Sequence, residues 1–288
     1  MGYVDDAFEK CKSTLEITRT EQGFASRKHR DIRDHVRSEW NLKDDFLTGS
    51  YRRETKTKKL KDVDIFVVIE PGGAQAGLRN QQPSAVLEEL RKLLVDRYDN
   101  VVTDGFACTI AFGEGEEVAS FDIVPAFKRA GGGYEIPDAD RGGWIATNPK
   151  LHHEQSTAMN EKCDQRFVPL VKMVKGINRE AGEPIQPSFL LEVMAHGLMR
   201  MPFGRYQDEI TWFLASASER INEDWEDPAG VGPAVNGRMS TSERQQAADV
   251  LGEWQRTAEE AVRLEDAGKE RDAVEEWRRL FGWRMPRP

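Results

Sequence analysis

The chain has 288 residues, 39% hydrophobic and 32% charged, enough for two lobes or one large domain with a sizeable core. Its apolar runs fall far short of the ~20 residues that span a bilayer, and a net charge of −9 argues against broad attachment to DNA or RNA, which needs many Lys and Arg contacts to phosphate. Cys11, Cys108 and Cys163 are odd in number and widely spaced, with no Cys-x-x-Cys pair, so they read as buried thiols, with neither a disulfide framework nor a zinc knuckle.

The N-terminal MGYVDDAFEK has no apolar signal core, and Asp6 stands where an acylation motif wants Ser or Thr; the cytoplasm is the expected compartment. From Asp5 to about Trp40 the apolar residues Phe8, Cys11, Leu15, Ile32 and Val36 recur at helical spacing, with a break expected at Gly23. The charged stretch Arg27 to Arg37 interleaves acids with bases, as a solvated helix face does.

Next comes LTGSYRRETKTKKLKDVDIFVVIE, Leu47 to Glu70. Its second half is a strand, in which alternate side chains share a face, so Asp62 and Asp64 project from the same side roughly 7 Å apart. Two carboxylates at that spacing repel by about 2 kcal/mol at an effective dielectric near 20. A divalent cation turns that cost into a binding site. Upstream, Gly49 and Ser50 make a tight turn whose N–H groups and hydroxyl suit a phosphate, with the cations between Arg52 and Lys61 nearby.

PGGAQAGLRNQQP reads as a loop, and Pro83 opens a helix with Val86, Leu87, Leu90, Leu93 and Leu94 on one side. Val101 to Val102, Cys108 to Phe112 and Val118 to Val124 are strands, the last two joined by a hairpin through Gly113 to Glu117, which delivers Asp122 beside the first acid pair. Gly131 to Pro149 reads as irregular, and His152 and His153 as surface or capping residues, without the His-Glu-x-x-His spacing of a zinc site. The remainder is helical: Glu154 to Glu180, Pro187 to Met201, Asp208 to Glu223, Thr241 to Ala267 and Lys269 to Phe281. Ser188 to Met201 is apolar nearly all round, the mark of a buried helix. Lys172 and Lys175 lie one turn apart and share a face.

A Gly-Ser turn, an Asp-x-Asp strand and a third strand-borne acid resemble the nucleotidyltransferase superfamily of DNA polymerase β. The helical half narrows the likeness. FVPLVKMVKGINREAG followed by PSFLLEVMAH resembles the lobe of oligoadenylate synthetases, cyclic GMP-AMP synthase and the bacterial CD-NTases of SMODS type, and YEIPD with WIATNPKLH, DWEDPAGVGPAVN and AVEEWRRLFGWRMP resemble the bacterial branch. The resemblance implies an α+β fold, a mixed nucleotidyltransferase sheet with flanking helices plus a helical lobe like that of oligoadenylate synthetases. Its segments would be an N-terminal helical brace over residues 1–43, a nucleotidyltransferase core over 44–149 and a helical nucleotide-binding lobe over 150–288.

On this resemblance Asp62, Asp64 and Asp122 are both catalytic residues and ligands for two Mg²⁺ ions, or Mn²⁺, about 3.5 to 4 Å apart. Gly49, Ser50, Lys172, Lys175 and Ser188 would hold the donor triphosphate, and Phe189, where the family often has tyrosine, would stack on the base. Arg53 and Thr55 match an Arg-x-Thr motif, with Glu54 between them where a small residue is common. The implied activity is synthesis of a cyclic di- or oligonucleotide from NTPs in CBASS-type antiphage signalling. The expected partners are regulatory or effector proteins of an antiphage operon, with no membrane. No inserted His and Cys cluster of the kind through which cyclic GMP-AMP synthase reads DNA is present, so no direct DNA or RNA activator is expected. Two alternatives stay open at this point: a single-transfer enzyme acting on an antibiotic, a protein or an RNA end, and an inactive nucleotide-binding scaffold.

Overall fold

The computed structural model describes residues 2–113 and 118–288. In chain order its elements are α1 (Tyr3–Leu15), α2 (Arg19–Glu39), β1 (Leu42–Leu47), α3 (Gly49–Arg52), β2 (Leu60–Ile69), α4 (Pro83–Val95), β3 (Val101–Asp104), β4 (Ala107–Ala111), β5 (Val118–Lys128), β6 (Tyr134–Asp138), β7 (Gly143–Thr147), α5 (Pro149–Lys162), α6 (Phe167–Glu180), α7 (Ser188–Leu198), α8 (Tyr206–Arg220), α9 (Thr241–Asp266) and α10 (Glu270–Phe281). The chain divides into two compact units, one of Met1–Glu16, Gln155–Pro228 and Ala234–Pro288, the other of Ile17–Glu154 and Ala229–Pro233. Among the described residues no helix is long and apolar enough to cross a membrane.

The second unit is built on a mixed sheet of order β1-β2-β5-β4-β3, with the β6–β7 pair continuing from β5. β2 and β5 run parallel, and the other pairings are antiparallel. Val63, Ile65, Val67 and Ile69 of β2 and Phe121 and Ile123 of β5 form one face, buried with Ile32 and Val36 of α2 and Val86, Leu87, Leu90 and Leu94 of α4. The intervening positions Asp62, Asp64, Phe66 and Val68 therefore take the opposite face, where Phe66, Val68, Val124, Ala126 and Tyr134 cluster at one end. Period-2 alternation thus separates a core face from a face that carries acids.

The first unit is helical. Phe8, Cys11 and Leu15 of α1 join a core with Leu170, Val174 and Ile177 of α6 and Trp277 and Phe281 of α10. The N-terminal helical stretch breaks at Glu16 to Thr18, and Gly23 lies inside α2. The reason is a capping box the glycine masked: Thr18 Oγ1 accepts from Glu21 N at 3.1 Å, and Glu21 Oε2 accepts from Thr18 N at 2.6 Å.

Two further expectations are corrected. Gly131 to Pro149 holds the β6–β7 pair, registered from Tyr134↔Thr147 to Asp138↔Gly143; strands of five residues containing Pro and Gly hide among loop signals. The helix expected from Glu154 to Glu180 is two, parted by Asp164 and Gln165, both at positive φ (50° and 63°). α5 begins at Pro149, so His152 and His153 lie inside it, and His152 is buried where a surface or capping position was expected. The cysteines are free and buried as expected, and burial pushes the Cys11 and Cys108 thiols up to about 12. The β4–β5 hairpin pairing is present, while Glu114 to Glu117 of its connection lie outside the described residues.

Candidate active site

The site begins at the end of β1. Thr48 donates its backbone N–H to the Asp64 carbonyl at 2.9 Å, and the chain then turns through Gly49, at φ 61°, into the single turn of α3. The positive φ calls for glycine, and so does space: a β-carbon there would overlap Asp64 Oδ2 and lie 2.6 Å from Asp64 Cγ. Arg53 N donates to the Gly49 carbonyl and Thr55 N to that of Ser50, at 3.2 and 3.0 Å. Gly49 thus stands against the second acid of β2.

Parallel pairing places Asp64 directly opposite Asp122 and Asp62 opposite Ser120, and register partners on adjacent strands point the same way, so the three acids share one face. Asp122 lies in turn opposite Thr109 of β4, whose hydroxyl donates to Asp122 Oδ1 at 2.7 Å. Burial holds the Asp122 carboxyl above the usual carboxylate range, the Thr109 bond opposes the shift, and the charges of Asp62 and Asp104 add to it. Thr109 and Asp104 were missed from the sequence because β3 and β4 carry no motif of their own. Only the sheet order brings them to the acid face.

Among the described residues no three His, Cys, Asp or Glu side chains are gathered at metal-ligand spacing. The donor set nevertheless fits a hard divalent cation: it is all carboxylate oxygen, and a cation would offset both the burial that chiefly raises Asp122 and the Asp62 charge that adds to it.

The other candidate residues lie in the helical unit. Lys172 and Lys175 are buried on α6, and both ammonium groups meet carboxylates. Lys172 Nζ bonds both oxygens of Glu16, at 2.8 and 2.7 Å, and Lys175 Nζ bonds Glu192 Oε1. Glu192 escaped notice because it sits in the apolar run of α7. A lone acid there signals a buried partner. Ser188 is exposed at the first turn of α7, and Phe189 is partly buried against the helical core.

The mixed sheet with its flanking helices is that of polymerase β-like CD-NTase structures. A solved structure, that of the CD-NTase CdnG of Bradyrhizobium diazoefficiens in complex with GTP, superposes with a TM-score of 0.78 at 16% identity, covering 99% of this chain and 97% of that one. The CdnC:HORMA-deltaN complex of E. coli MS115-1 gives 0.73 at 17% identity, with 96% of each chain covered. The family model of the Second Messenger Oligonucleotide or Dinucleotide Synthetase domain, SMODS, matches residues 1–160, and the chain belongs to that family. A cyclic AMP-AMP-AMP synthase from an Acinetobacter species is 26% identical over 96% of this chain and 83% of its own length.

Proposed function

We propose that the protein joins NTPs, ATP among them, into a cyclic oligonucleotide second messenger for antiphage signalling in the cytoplasm, with Asp62, Asp64 and Asp122 as its catalytic centre. The observation that carries this reading is the register Asp64↔Asp122 on parallel strands, with Gly49 against Asp64. ATP is favoured because the Acinetobacter relative's product contains only AMP units. Asp62, Asp64 and Asp122 would hold Mg²⁺ or Mn²⁺, which when bound supplies charge neutralisation at the triphosphate and lowers the pKa of the attacking hydroxyl.

The chain's own groups account for the rest. Asp122 takes the proton of the acceptor ribose hydroxyl on its carboxylate; the freed oxygen forms the new P–O bond at the α-phosphorus, and pyrophosphate leaves. The raised pKa of Asp122 makes it a better proton acceptor than an ordinary surface aspartate. Backbone N–H groups of the Gly49–Ser50 turn and the Ser50 hydroxyl hold phosphate oxygens. Lys172, Lys175 and Ser188 position the donor, and Phe189 offers an aromatic face to the base. Positioning and charge stabilisation then supply most of the acceleration. A second transfer within the linear product closes the ring. CdnC is solved in complex with a HORMA protein, and a partner protein would bind this chain as well.

Incubating the purified protein with each NTP singly and in mixtures, with Mg²⁺ or Mn²⁺, followed by phosphatase and mass analysis, tests the proposal. A phosphatase-resistant product without terminal phosphates, absent with Asp64→Asn, is expected. A product retaining free phosphate ends in every mixture would refute ring closure.

A further inference from the structure

Within the sheet unit there is a cavity of about 560 Å³ whose lining includes none of Gly49, Ser50, Asp62, Asp64 and Asp122. That volume lies within the range of small-molecule sites, roughly 300 to 1,000 Å³. It is walled by α2, the end of β1, the segment Thr48 to Lys56 and the start of α5.

Two imidazole nitrogens of its lining lack partners. His29 Nε2 and His153 Nδ1 are buried without a hydrogen bond, although a buried polar nitrogen ordinarily finds one. Both imidazoles are held below the usual histidine range by burial first. The next cause at each is a cation, Arg33 at His29 and Arg52 at His153, ranking ahead of the nearest acid. The imidazoles are therefore held neutral, and each has one N–H to donate. Lys56 lies over the Tyr51 ring at 4.4 Å and Lys150 over Phe46 at 4.4 Å, which sets ammonium groups along two walls; Lys56 Nζ donates to the Tyr51 carbonyl at 3.2 Å and Lys150 Nζ to Asp44 Oδ2 at 2.8 Å, each with further N–H donors to spare. α5 opens on the cavity with Lys150 and no acid in its first turn, an arrangement its own dipole disfavours. Glu54 and Glu154 also line the cavity, and both are exposed.

We propose that this cavity is a second ligand site, distinct from the acid face, that binds a small organic phosphate through Arg52, Lys56, Lys150 and the N–H groups of His29 and His153. The geometry gives the occupant a route to the acids. Its wall includes Thr48, whose N–H bonds the Asp64 carbonyl and whose chain neighbours are Gly49 and Ser50. A ligand here bears on the backbone that presents the Gly-Ser turn, which makes the site regulatory.

The test is calorimetric titration of the full chain with ribose 5-phosphate in the presence of a saturating non-hydrolysable ATP analogue, with ribose and citrate titrated in parallel. Ribose 5-phosphate is expected to bind with sub-millimolar affinity, ribose not at all and citrate more weakly. His153→Leu and Lys150→Gln are each expected to weaken binding at least tenfold with an unchanged melting profile; Lys150 is exposed, so its variant keeps the test valid if His153→Leu misfolds. Four results would each overturn the proposal: no binding to the wild type, displacement of ribose 5-phosphate by the analogue, unchanged affinity in Lys150→Gln, or citrate binding as tightly as the phosphate.

Discussion

Asp64 and Gly49 share one small space: the carboxylate occupies the volume a β-carbon on Gly49 would need. Any side chain at position 49 displaces the acid, and the left-handed φ of 61° adds about 1 to 2 kcal/mol of backbone strain. Gly49→Ala should therefore lower turnover at least a hundredfold and lower the melting temperature. In an Asp64→Gly background the steric part vanishes, so Gly49→Ala should cost less stability there. A double-mutant cycle read by thermal melting measures the difference.

Asp122 carries a folded-state pKa above its unfolded value, chiefly through burial. The native state thus holds its proton more tightly than the unfolded chain, and this group's contribution to stability is present below the unfolded carboxylate pKa and lost as pH rises through the folded one. Asp122→Asn keeps an oxygen that can accept from Thr109 Oγ1 and removes the charge. We expect it to abolish nucleotidyl transfer while raising the melting temperature by a few degrees at pH 7.5, with the gain shrinking toward pH 4. A variant less stable than wild type at pH 7.5 would contradict the burial argument.

The two lysine pairs of α6 differ in depth. Lys175 and Glu192 have side-chain exposures of 9% and 6%, so Glu192→Ala leaves a buried ammonium uncompensated and should cost roughly 3 to 5 kcal/mol. Glu16 is half exposed, at 50%, although Lys172 is itself buried at 6%; Gln keeps an amide oxygen for the ammonium, so Glu16→Gln should cost less than Glu192→Ala. If Lys172 grips the donor triphosphate, that same variant frees the ammonium group from a competing carboxylate and lowers KM for ATP several-fold. Steady-state kinetics decide: an unchanged KM would make Lys172 a structural partner of Glu16.

Glu54 sits at φ 62°, which explains a small residue as the natural occupant between Arg53 and Thr55. Glu54→Gly should stabilise the fold by about 0.5 to 1 kcal/mol, relief of left-handed strain exceeding the added chain entropy. Urea unfolding is the check, with a midpoint shifted up at constant slope.

The acids were legible because a strand's period of two is visible in Asp62, Asp64 and the apolar residues around them, and Asp122 shows the same alternation. Their register was not legible, since β2 and β5 pair across an intervening helix and two strands and nothing local specifies which residue faces which. The spacing of Lys172 and Lys175 could be read, but their partners could not: Glu16 belongs to a distant segment and Glu192 lies within an apolar helix. Glu21 shows the same limit. Its capping role is local, yet Oε1 also accepts from Leu60 N at 2.8 Å, tying the start of α2 to the start of β2. The cavity beside α2 escaped for a related reason, because His29, Tyr51 and His153 carry no common motif and meet only in the folded unit.

α1 belongs with helices from the far end of the chain. Phe8 packs edge-on against Trp277 and Phe281, with ring centroids 5.0 and 5.9 Å apart. During synthesis this helix leaves the ribosome before the whole sheet unit, while the surfaces of α6 and α10 that cover its apolar stripe are made after that unit. The stripe must stay uncovered, or in the care of a chaperone, until they emerge. Translation pauses in the second half of the message would lengthen that exposure, so soluble yield should depend on elongation speed there more than on speed through the segment encoding the acids.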